Sequence, residues 1–220
     1  MPLVYECTPF SQCSAAVWEI EEPPEYFEEK LIFNSWEKDY LRNIRHPVRR
    51  RSWLASRYLI KILLKTDAFV ELLFDINGKP FLGNKKQLVT ISHTQQFAAA
   101  MIADEYDIGI DVEALQRSVE HVSHKFLSAT EKRTLPDAVS NDTLLLYWGA
   151  KEVMYKIHGR KRLDFRDHML VHPFEKAAIG DMSGMITKDG VASPCVMSYI
   201  QTPSFSLVMG MRQPTEVLPL

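Results

Sequence analysis

The sequence is short of the features that announce several common kinds of site. It has three cysteines in 220 residues, Cys7, Cys13 and Cys195, and no C-x-x-C; neither a disulfide framework nor a thiolate zinc site organises it. A reduced, cytoplasmic compartment is expected. Nine glycines, with no G-x-x-x-x-G-K-[ST] and no G-x-G-x-x-G, argue against a nucleotide site built on a glycine loop. The opening stretch MPLVYECTPF has no basic segment followed by an apolar one, and no apolar run approaches the length of a membrane span, so neither leader nor membrane contact is expected. A net charge of -2 weighs against a surface tuned throughout to nucleic acid. What is present is a chain 46% hydrophobic and 25% charged, enough to bury a sizeable core as one large domain or two small lobes.

Charge is nevertheless uneven. PPEYFEEKLIFNSWEKDYLRNI starts on two prolines, carries acids early and bases late, and stops before His46-Pro47, which predicts one helix aligned with its dipole. A second helix is predicted from about Val48 to Lys65. Between Leu41 and Lys65 there are eight bases and no acid. That run reads either as a solvated helix face or as an anion-binding surface in which arginine forks meet phosphate.

Beyond it, DINGKPFL reads as a turn, with Asn77-Gly78 able to take positive φ. LVTISH and FAAAMIA then make a hairpin through Thr94, Gln95 and Gln96, with Ser92 and His93 at its turn end. Neighbouring side chains in a strand face opposite ways, so this Ser-His pair is not a hydrolase dyad. In DIGIDVE, Ile108, Ile110 and Val112 share one face and Gly109, Asp111 and Glu113 the other. Two carboxylates on one face repel unless a cation lies between them. Oxygen-only ligands beside a glycine that admits a ligand to the backbone suit Mg²⁺, although an ordinary solvent-facing edge gives the same pattern.

LLLYWGAKEVMYKIHG supplies a third carboxylate. Asn141 or Asp142 can cap this helix and Gly159 can stop it; Leu146, Ala150, Val153 and Ile157 form its core stripe. Glu152 and Lys156 lie away from that stripe together with Leu145 and Trp148. An acid and a base on a half-apolar face suggest a second contact surface rather than a plain i,i+4 ion pair.

GKP (78–80), ISH (91–93), GIDVE (109–113), FLSATE (126–131) and WGAKEVMYK (148–156) together resemble the 4'-phosphopantetheinyl transferases, specifically the two-lobed Sfp-like class. The resemblance implies an α+β fold of two pseudo-symmetric lobes with a ligand cleft between them, residues 1–104 forming the first and 105–220 the second. It implies Mg²⁺ on Asp111, Glu113 and Glu152, and Lys156 on phosphate. Lys79, Ser92, His93 and Arg51 would hold coenzyme A, with Arg49 and Arg50 leaving the arginine register open. The implied partner is an acyl or peptidyl carrier protein, met by a monomer. Glu131 matches the family's candidate base for the carrier serine, but SATE is also S-x-x-E, a capping box that Ser128 and Glu131 can close between themselves. Two stretches, 88–103 and 196–211, share a strand-turn-strand pattern and match Thr94 with Thr202, Phe97 with Phe205 and Met101 with Met209. A silent binding module for coenzyme A or carrier protein, and a Mg²⁺-dependent phosphodiesterase, stand as alternatives.

Overall fold

The computed structural model describes residues 2–160 and 162–212. The chain divides into two compact units, Met1–Glu105 and Tyr106–Leu220. Each is an α+β assembly in which an antiparallel sheet carries one long helix.

The first unit contains β1 (Leu3–Cys7), β2 (Cys13–Glu19), α1 (Pro24–Glu28), α2 (Ser35–Asn43), α3 (Pro47–Leu63), β3 (Leu72–Phe74), β4 (Pro80–Leu82), β5 (Leu88–His93) and β6 (Phe97–Ala103). Its sheet runs β1-β2-β6-β5, and β3 pairs with β4 alone. Small side chains explain how α3 lies down on it: Ala16 of β2 and Ala98 and Ala100 of β6 share one buried cluster with Leu54, Ala55, Leu59 and Ile60 of the helix.

The single helix expected up to Ile44 is two helices. Asn34 divides them: its backbone is extended, its side chain accepts from the Glu37 amide at 2.8 Å, and Glu37 accepts from the Asn34 amide at 3.2 Å. That capping box starts a helix and so cannot lie within one. Glu37 is then buried against Arg57, Nε to Oε1 3.2 Å. The basic run is therefore not one solvated face. Arg50 reaches Glu28 and the Leu41 carbonyl, and the Lys61 ammonium donates to the carbonyls of Lys30 and Asp67.

The second unit contains β7 (Ile108–Ala114), α4 (Ser123–Phe126), α5 (Ala129–Thr134), α6 (Asn141–His158), β8 (Met169–Val171), β9 (Ile179–Lys188), β10 (Val191–Gln201) and β11 (Phe205–Arg212). Its sheet runs β7-β11-β10-β9-β8. Ser140 caps α6, its hydroxyl accepting from the Thr143 amide, and Gly159 ends the helix with φ 65°. Leu146, Ala150, Val153 and Ile157 are fully buried.

The two units repeat one internal plan. In each, a strand leads through a long helix to a hairpin, and the strand pairs with the hairpin's second arm: β2 with β6, β7 with β11. The hairpins close identically. Thr94 accepts at Oγ1 from the amides of Gln96 and Phe97 and donates its own amide to the Phe97 carbonyl; Thr202 does the same with Ser204 and Phe205. The side chain acts as a surrogate backbone acceptor in a turn too tight to supply one.

Both faces of β7 are buried, and Gly109 has a different task from the one its sequence context suggests. The glycine admits α6 rather than a ligand: a Cβ on Gly109 would stand 2.4 Å from the Val153 carbonyl oxygen. Gly109→Ala is expected to lower stability by about 1–3 kcal/mol by forcing helix and strand apart, measurable as a reduced urea midpoint at unchanged m-value.

Candidate active site

The face of β7 that carries Gly109 also carries Asp111 and Glu113, so the helix that crowds the glycine also meets the acids. Asp111 is 5% and Glu113 7% exposed. One helical turn before Val153, Gly149 continues the close approach, with room for a Cβ only 3.7 Å from Asp111 Oδ2 and 2.8 Å from Val208. One turn after Glu152, Lys156 returns to the strand, its ammonium 2.9 Å from Asp111 Oδ1 and 2.6 Å from the Ile110 carbonyl oxygen. Glu113 is held by the Trp148 indole N–H at 2.8 Å and by the Arg117 guanidinium.

Asp111, Glu113 and Glu152 act on one another electrostatically. Burial raises the Glu113 carboxyl above its usual range and the neighbouring Asp111 raises it further, against the pull of Arg117 and Trp148. Glu152 rises to about 7, first through burial and then through Asp111, with Lys156 opposing. Three carboxylates, two of them with raised pKa, form an oxygen donor set whose chemistry fits a hard divalent cation. In the present arrangement Lys156 and Arg117 supply the compensating charge. Among the described residues, no three His, Cys, Asp or Glu side chains gather tightly enough to ligate one ion.

Glu131 lies in the same unit in a different setting. It closes the capping box with Ser128, whose amide donates to Oε2 at 2.7 Å, while Oε1 accepts from the Val171 amide and from Lys151, each at 2.7 Å. The Glu131 and Lys151 side chains are both 0% exposed. Lys151 also donates to the carbonyls of Phe165 and Met169, so its three N–H groups all have acceptors. Burial lowers its pKa, with Glu131 opposing. Sequence reasoning assigned no role to Lys151 or Arg117 and treated Trp148 only as an apolar residue on the helix face; the one clue was the spacing inside WGAKE, which sets Trp148 and Lys151 nearly one turn apart.

The remaining candidates belong to the first unit. Ser92, 9% exposed, and His93 end β5. Ser52 of α3 lies 3.2 Å from the Thr94 carbonyl, which fastens the residue after Arg51 to the turn that follows Ser92 and His93. Of the three consecutive arginines, Arg49 donates to the Tyr40 hydroxyl and Arg50 pairs with Glu28, whereas Arg51 has no ion pair among the described residues. Lys79 follows a turn in which Asp75 accepts from the amides of Asn77 and Lys79, both at 2.8 Å.

Residues 107–190 match the family model of the 4'-phosphopantetheinyl transferase superfamily. The chain is also similar to the 4'-phosphopantetheinyl transferase HetI of Nostoc sp. (strain PCC 7120 / SAG 25.82 / UTEX 2576), 31% identical over 127 residues, or 51% of this chain and 54% of that protein. It therefore spans about half the length of the curated relative it matches. The segment matched by the family model holds Asp111, Glu113, Glu131, Glu152 and Lys156. No helix among the described residues is long and apolar enough to cross a membrane.

The raised carboxyls have a consequence for stability. A carboxyl whose folded pKa exceeds its unfolded value binds its proton more tightly in the native state, so its contribution is full below the unfolded pKa and is lost as pH rises through the folded one. For Glu152 that window runs from about 4.5 to about 7. The thermal midpoint of the metal-free protein is expected to fall between pH 5 and pH 8, and Glu152→Gln to flatten that fall. Melting curves across the range, with and without Mg²⁺, check it; Mg²⁺ should restore most at the alkaline end.

Proposed function

We propose that the protein is a 4'-phosphopantetheinyl transferase of the two-lobed Sfp-like class. It moves the phosphopantetheine arm of coenzyme A onto a serine of an acyl or peptidyl carrier protein and releases 3',5'-adenosine diphosphate. The observation that carries this reading is the meeting of Asp111, Glu113 and Glu152 with Lys156 at the contact of α6 and β7, within the segment that matches the superfamily.

Asp111, Glu113 and Glu152 would hold Mg²⁺, which when bound neutralises charge on the pyrophosphate. The rest is work for the chain's own groups. Lys156 is a cation fixed beside the acids, suited to an anionic phosphate oxygen and to the charge that develops as the β-phosphate is attacked. The serine hydroxyl of the carrier is the nucleophile, and its proton needs an acceptor. Glu152, which is not sealed from solvent, is assigned that task. Glu131 is not: both its oxygens are engaged and its side chain is sealed from solvent. Arg51, Lys79, Ser92 and His93 are assigned to the nucleotide end of coenzyme A, where an anchored remote phosphate contributes orientation to the reacting one. A cytoplasmic monomer completes the proposal.

A silent binding module is less well supported, because three acids around an anionic ligand only cost affinity unless a cation joins them. The phosphodiesterase reading gains nothing from a basic run whose Arg50, Arg57 and Lys61 are committed internally.

The test is the mass of unmodified carrier proteins incubated with coenzyme A, Mg²⁺ and the protein. A gain of one phosphopantetheine is expected, and no gain on any carrier that a known transferase modifies would refute the activity. Asp111→Asn should lower the rate by roughly a hundredfold or more, the scale of several kcal/mol of lost charge stabilisation, while its melting curve stays cooperative. Unchanged turnover in that variant would show that the acids on β7 are misassigned.

A further inference from the structure

The buried pair of Lys151 and Glu131 touches none of the three site carboxylates through any of the acceptors named above, yet it lies one residue from Glu152. We propose that Lys151 and Glu131 are positioning residues for the site, acting on Glu113 through Phe165 and Trp148. The proposal rests on the metal reading above.

Each link is a short contact. Glu131 fixes the Lys151 ammonium at 2.7 Å and is itself fixed by the amides of Ser128 and Val171. Lys151 then donates to the Phe165 carbonyl at 2.9 Å and the Met169 carbonyl at 2.6 Å. Phe165 lies in a stretch without helix or strand, so the bond to its carbonyl substitutes for a secondary-structure ladder in holding it. Its ring packs 5.8 Å from Trp148 and 5.9 Å from Tyr155. Trp148 is bounded further by Phe126 at 5.4 Å and by the Arg117 guanidinium at 5.1 Å, and its N–H points to Glu113 Oε1 at 2.8 Å. The ammonium thus determines where the Phe165 ring sits, the ring determines the tilt of the indole, and the indole orients a carboxylate of the donor set.

Stability alone does not explain the pair. Two charges at zero exposure incur a desolvation cost that their attraction roughly cancels, and apolar residues of the same volume commonly do as well or better. What an apolar pair could not do is hold the carbonyls of Phe165, in a turn, and of Met169, at the start of β8, at fixed points. Residues behind a metal-ligating side chain typically alter metal affinity 10–100-fold when changed.

The experiment uses Mn²⁺ as probe, titrated calorimetrically into the full chain and into Lys151→Met, Trp148→Phe, Phe165→Leu and the Lys151→Met/Trp148→Phe double variant. Thermal melts confirm that each is folded. Wild type is expected to bind Mn²⁺, and each single variant to bind it about tenfold more weakly. The double variant should be no weaker than the worse single, because both changes cut one chain of contacts. Should Lys151→Met fail to fold, Phe165→Leu leaves the ion pair intact and still tests the link to Trp148. Folded variants that bind Mn²⁺ as wild type does, or additive losses in the double, overturn the positioning role. Absence of Mn²⁺ binding by wild type overturns the metal reading itself, and this proposal with it.

Discussion

At Gly109 the carbonyl of Val153 comes to where a side chain would otherwise begin, and that approach sets how α6 meets the acids of β7. A helix this close to a strand brings residues one turn either side of the contact within reach of the strand's own side chains. Gly149 clears space over Asp111, Trp148 reaches Glu113, and Lys156 closes on Asp111. A residue with a Cβ at position 109 would lift the helix, lengthening these contacts together. The glycine that opens the GIDVE motif is therefore a spacing device between two backbones.

The same closeness makes the charges consequential. Carboxylates on an open strand face would be solvated and would titrate near their ordinary values. Under α6 they are removed from water while remaining near each other and near Glu152, so Glu113 and Glu152 hold their protons to higher pH and the cations around the acids become part of the fold. Lys151 and Lys156 illustrate two outcomes for one residue type on one helix. Lys151 points into the core and satisfies all its donors among carbonyls and Glu131; Lys156 keeps 24% of its side chain exposed beside Asp111 and remains accessible to an anionic partner.

Much of this was legible in the sequence, because period and turn chemistry are local. The hairpin at Thr94, the alternation in DIGIDVE, the core stripe of α6 and its Gly159 stop all follow from side chains a few positions apart. Ser128 with Glu131 announced a cap, and the cap is present. Asn34 with Glu37 announced one equally well within the expected single helix, but the acid-to-base gradient across that stretch masked it. What could not be read was long-range. That both faces of β7 are covered depends on elements placed against the strand by the whole fold. That Lys151 meets Glu131, or that the indole of Trp148 meets Glu113, depends on segments twenty to thirty-five residues apart. A buried lysine and a surface lysine in the same motif look alike until the acceptors around each are known.

Among the described residues β7 borders its sheet and pairs with β11 alone, from Phe205↔Ala114 to Met211↔Ile108, closed at the end by Arg212 donating its amide to the Asp107 carbonyl. The strand that bears Asp111 and Glu113 is thus completed by a segment about a hundred residues downstream, beyond the span 107–190 that carries the family signature. A fragment cut to that span would retain all five of the second unit's candidate residues and lose the neighbour that holds two of them in register. The signature records where the chemistry is written, while the boundary of the smallest working piece is set by backbone pairing that no motif marks.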